Sequence, residues 1–125
     1  MSSTPTESVA RALLEARRLS RPVDASPFAS ALTEPAAAYA VQSLVLAQLD
    51  GADAPFPRHW KSGGPSRDAT LTHAPLPAAG VRTSPADLRD MHFNLRLIEA
   101  EVALRLAQDV TPAQAAALTP ADAPA

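Results

Sequence analysis

The chain has 125 residues with 11 basic and 13 acidic side chains, a formal charge of −2 that leaves no basic footprint for nucleic acid. It has no cysteine, which excludes disulfides, thiolate metal sites and cysteine nucleophiles and fits a reducing cytoplasm, and no stretch approaches the roughly 18 apolar residues of a membrane span. Aromatic residues are 4% and prolines number 13, so bulky core formers are scarce and a free-standing fold of this size is expected to be weakly held.

Residues 1–6 open with polar Ser, Thr and Pro and read as a frayed terminus, with no secretory signal pattern. From Glu7 to Ser20, Val9, Leu13 and Leu14 form an apolar stripe opposite Arg11, Arg17 and Arg18, which predicts a basic amphipathic helix capped by Ser3, Thr4 or Thr6. Its arginines read as a solvated face beside glutamates. Pro22 and Pro27 set an extended connection. A second helix is expected from about Glu34 to Leu49, with Thr33 as N-cap, Pro35 in the first turn and Gly51 as the stop. Tyr39 and Gln42 are its polar-tipped residues and read as structural.

Residues 52–57 read as loop. Arg58 to Pro65 is a strand candidate ending in a Gly63-Gly64-Pro65 turn, where backbone can approach a ligand closely beside Lys61. The glycines lack the spacing of a phosphate loop. Arg67 to Pro77 alternates weakly and predicts another strand, with His73 as a lone histidine and a poor metal ligand by itself. Ser84-Pro85-Ala86-Asp87 reads as a helix start running one or two turns to Asp90.

Leu95 to Leu106 is the most informative stretch. With period two, Arg96, Ile98, Ala100, Val102, Leu104 and Leu106 share one face, and Leu95, Leu97, Glu99, Glu101 and Ala103 share the other. Glu99 and Glu101 then project the same way, roughly 6–7 Å apart at Cα. Like charges on one apolar-flanked face repel, and a divalent cation held by hard oxygen ligands relieves them. The alternative is a helix, since Leu95, Ile98, Val102 and Leu106 also fit three- and four-residue spacing, and the glutamates would then be surface residues. Asp109 to Pro112 breaks the run. Residues 111–118 begin an Ala-rich helix, and 111–125 as a whole read as an Ala/Pro-rich tail.

In this order, Tyr39-Ala40-Val41-Gln42, Trp60-Lys61-Ser62-Gly63 and Ile98-Glu99-Ala100-Glu101-Val102-Ala103 resemble the N-terminal half of the 2-keto-4-pentenoate hydratases, within the fumarylacetoacetate hydrolase superfamily. The likeness spans about residues 7–110. It implies an α+β fold with two N-terminal helices beside a short, incomplete mixed sheet that includes the Glu-x-Glu strand. It also implies Glu99 and Glu101 as two of three carboxylate ligands to Mg²⁺ or Mn²⁺, and Lys61 as an active-site group assisting enol–keto proton transfer. The implied reaction adds water to a 2-hydroxy-dienoate or 2-keto-4-pentenoate type acid, giving a 4-hydroxy-2-oxo acid in aromatic-compound catabolism. A small 2-keto acid would be the partner, and the full-length form a homo-oligomer. Two departures stand out. No acid after Glu101 other than Asp109 and Asp122 is present to serve as third ligand, and Thr72-His73-Ala74-Pro75-Leu76 holds no acid where the family has one partnering the lysine, leaving His73 as a substitute. The chain therefore reads as the N-terminal portion of such an enzyme, inactive or nearly so by itself. The sibling reading is a C–C hydrolase or decarboxylase of the same superfamily. The reading from another class is a non-catalytic interaction module.

Overall fold

The computed structural model describes residues 3–51, 56–66 and 68–122. The architecture is mixed α+β, built on helices α1 (Pro5–Arg18) and α2 (Pro35–Asp50), strands β1 (Trp60–Gly63) and β2 (Thr72–Pro75), and a short helix α3 (Pro112–Ala117). Short 3₁₀ turns at Ser26–Ala31, Ala78–Gly80 and Pro120–Asp122 punctuate the connections.

Helix α1 begins at Pro5, so Ser3 to Thr6 are ordered by a cap rather than frayed. The Thr4 hydroxyl accepts from the Glu7 N–H at 3.2 Å, and the Glu7 carboxylate accepts from the Thr4 N–H at 2.7 Å. This reciprocal box satisfies two amides that the helix itself leaves unpaired. At the other end Ser20 sits in the left-handed region (φ +52°), and Arg21 donates back to the Ala16 carbonyl at 3.0 Å. Helix α2 starts with Pro35 at its first position. The expected Thr33 cap is corrected here: Glu34 holds the N-cap position and no side chain caps the helix. Gly51 ends it at φ +91°, a backbone conformation that favours glycine.

The two helices pack on each other through Val9 and Ala10 of α1 and Val41 of α2, with Phe28, Ala31 and Val45 against them. Val9, Ala10 and Val41 are the buried apolar residues among the described ones. So small a core follows from the alanine-rich, aromatic-poor composition, because each buried alanine removes little apolar area from water. No helix among the described residues is long and apolar enough to cross a membrane.

Strands β1 and β2 form a two-stranded antiparallel sheet, pairing Trp60 with Pro75, Lys61 with Ala74, Ser62 with His73 and Gly63 with Thr72. Beyond the ladder, Leu76 donates to the His59 carbonyl at 2.9 Å. At the other end Thr72 Oγ1 donates to the Gly63 carbonyl and Ser62 Oγ to the Thr72 carbonyl, each at 3.2 Å. The sheet is antiparallel, not mixed, and the expected strand over 67–77 shortens to Thr72–Pro75. Its start at Arg67 lies outside the described residues, as do residues 52–55 of the expected loop and 123–125 of the tail.

Two expectations are overturned. Residues 84–90 form no helix, because the Asp87 carboxylate accepts from the Arg89 N–H at 3.1 Å and from its guanidinium at 2.9 Å, a local bonding pattern that competes with helical turns. Met91 instead donates to the Leu88 carbonyl at 3.1 Å, closing a turn. Residues 95–106 are not a strand of the sheet. They run from Arg96 to Leu106 without a turn or bend, yet none of their backbone groups has a backbone partner among the described residues. Ile98, Val102 and Leu104 are 97%, 90% and 93% exposed.

Replacing Thr4 with Ala is expected to cost about 1 kcal/mol of stability, read as a lower urea midpoint. Thr111→Ala, which breaks the equivalent box on the exposed α3, is expected to leave that midpoint unmoved, since α3 carries no buried residue.

Candidate functional site

Lys61, Glu99 and Glu101 converge, although 38 residues of chain separate the lysine from the first glutamate. The Lys61 Nζ donates to Glu99 Oε2 and lies 2.6 Å from Glu101 Oε1. Residues 96–106 run without helix, turn or bend, and both carboxylates meet one ammonium. Residues two apart along an extended chain point to the same side.

The pleat of the hairpin fixes where this happens. Trp60 and Ser62 point to one face of β1, and Lys61 and Gly63 to the other. On the first face His73 of β2 stacks on Tyr39 of α2, with ring centroids 4.7 Å apart and planes 22° apart, and Trp60 tilts against it at 5.8 Å. That face packs on α2. Lys61 stands on the opposite face and reaches out to the Glu99–Glu101 segment.

The electrostatics follow from the contacts. Hydrogen bonds that the ammonium donates to Glu101 and then Glu99 hold Lys61 well above its ordinary value of 10.5, so it is charged throughout the neutral range. The Lys61 ammonium in turn holds the Glu99 carboxyl below its ordinary 4.5. All three side chains stay roughly half exposed or more, so solvent screens the cluster.

His73 does not enter this cluster, being stacked on Tyr39 across the hairpin, so its expected role as a stand-in proton carrier beside Lys61 is corrected. Asp122 is engaged locally, accepting from the Thr119 N–H and hydroxyl at 2.7 Å each. Among the described residues no group of three or more His, Asp or Glu side chains is placed to hold a metal.

The sequence reading missed a second feature. A cleft of about 400 Å³ opens between α2 and the hairpin, lined by Tyr39, Gln42, Asp50, Phe56, Trp60 and His73 among others. Trp60 is pinned there by its Nε1–H, which donates to the Pro57 carbonyl at 3.0 Å. The Tyr39-to-Gln42 spacing placed both on one helix side, but nothing local linked them to Trp60.

The chain matches no protein-family model, no curated protein and no solved structure.

The carboxylate shift sets a pH dependence. Because the folded Glu99 titrates below its ordinary value, the stabilisation it gives is fully present above about pH 4.5 and is lost as pH falls through its depressed folded value. The raised Lys61 contributes through the whole neutral range and releases only in strong alkali. Proteolysis within 95–106 is therefore expected to accelerate on acidification through that window. In Lys61→Met the same cleavage is expected to be fast at neutral pH, with the Glu99 carboxyl resonance titrating upward toward 4.5.

Proposed function

We propose that Lys61, Glu99 and Glu101 are the N-terminal share of the active site of a metal-dependent hydratase of the 2-keto-4-pentenoate type. The observation that carries the reading is their meeting at one point: the three residues that the resemblance implicates lie on distant stretches, and both carboxylates aim at a single positive charge. Two hard oxygen donors around one cation position fit Mg²⁺ or Mn²⁺, with further ligands to come from water, substrate or other protein groups.

A bound divalent ion supplies Lewis-acid polarisation of the 2-oxo group and chelation of the adjacent carboxylate. Glu99 and Glu101 would hold such an ion. With their oxygens engaged on it, Lys61 would lose the hydrogen bonds that retain its proton and would be freer to pass a proton from Nζ to and from an enol substrate. Water then adds across the conjugated double bond, giving the 4-hydroxy-2-oxo acid. A C–C hydrolase or decarboxylase of the same superfamily would use the same carboxylates with a different proton carrier.

A second reading, a non-catalytic interaction module, is favoured by the exposure of the apolar side chains between Leu95 and Leu106. Calorimetric titration of Mn²⁺ with oxalate, a 2-oxo acid mimic, separates the two. Metal-dependent oxalate binding that disappears in Glu99→Gln/Glu101→Gln is expected for the hydratase reading. Heat identical for the intact chain and the double variant overturns it in favour of the module.

A further inference from the structure

We infer that residues 95–106 pair with the same segment of a second copy of this chain, antiparallel and centred on Val102. The inference stands on that segment alone and is independent of the metal reading. Three observations lead to it. Residues 96–106 run without helix, turn or bend, and the segment's backbone donors and acceptors are free of backbone partners among the described residues. Lys61 holds only the face that carries Glu99 and Glu101, which leaves both edges and the face of Ile98, Ala100, Val102, Leu104 and Leu106 open. That open face carries side chains almost wholly in water, a state that a partner strand relieves by giving the backbone its ladder and each side chain an apolar neighbour.

Charge complementarity identifies the partner and the register. With Val102 on the two-fold axis, Ala100 lies opposite Leu104 and Ile98 opposite Leu106, so five apolar side chains from each copy line one face. On the other face Glu99 lies opposite Arg105, and symmetry makes the pair twice. Neighbouring registers are worse. Centring on Ala100 sets Glu99 against Glu101, centring on Glu101 sets it against itself, and centring on Leu104 sets Glu99 against Asp109. Centring on Ala103 pairs Glu101 with Arg105 but puts Ile98 opposite Gln108. A segment complementary to itself in one register, with opposite charges matched and apolar side chains facing, is suited to a copy of itself.

The absence of native cysteine makes the register readable. Residues directly opposite in an antiparallel pair have Cβ atoms roughly 4.5–5.5 Å apart, near what a disulfide spans. Under mild oxidation Val102→Cys is expected to form a covalent dimer at least about tenfold faster than Leu118→Cys, an exposed control outside the segment. Ala100→Cys and Leu104→Cys are expected to cross-link when mixed but poorly alone. In sedimentation equilibrium the unmodified chain is expected to dimerise, and Arg105→Glu, which sets like charges opposite, to raise the dimer Kd about tenfold or more. A monomer at ~100 μM, cross-linking indifferent to position, or fastest cross-linking at Ala103→Cys overturns the proposal.

Discussion

Two carboxylates on one side of an extended chain demand a positive charge, and in this protein Lys61 provides it. The ammonium ties residues 95–106 to the hairpin, in a stretch that makes no ladder and leaves its apolar side chains in water. The ion cluster brings the glutamates together, keeps Lys61 protonated, and holds the segment over the sheet while its edges stay free. Under the proposed hydratase reading, an ammonium and a divalent ion would compete for the one place between Glu99 and Glu101.

The helical half supplies the support. Packing of Val9 and Ala10 on Val41 fixes α1 against α2, and the stacking of His73 on Tyr39 seats the hairpin on α2. Because side chains alternate along β1, turning Trp60 toward His73 and α2 turns Lys61 to the other face. The aromatic cleft and the ion cluster are therefore two sides of one four-residue strand, and the order Trp-Lys in the sequence separates an apolar surface from a charged one.

Local chemistry was the most legible part of the sequence. The helix α1, capped by Thr4 of the three candidates, and the start and Gly51 stop of α2 each rest on interactions within a few residues, and each appears within about two residues of where the pattern puts it; of the expected stripe, Val9 is buried and Leu13 is exposed. The period-two reading of 95–106 put Glu99 and Glu101 where both meet one charge, but the strand it predicts does not form, because pairing depends on what other strands offer. The helix expected at 84–90 failed on a bond between Asp87 and Arg89 that outcompetes the helical turn. Position was harder still. That Lys61 meets the glutamates depends on the hairpin's orientation against α2, set by Tyr39, Trp60 and His73 together. No window of sequence contains all three.

The most direct test of a shared cation position is paramagnetic broadening by trace Mn²⁺ in an amide-resolved NMR spectrum. If Glu99 and Glu101 gather a cation where the Lys61 ammonium stands, amides of residues 60–63 and 98–102 broaden first and together, while those of α1 remain sharp. Broadening spread evenly along the chain, or centred on acids elsewhere such as Asp50 or Asp109, would mean that the two glutamates serve only to bind the lysine.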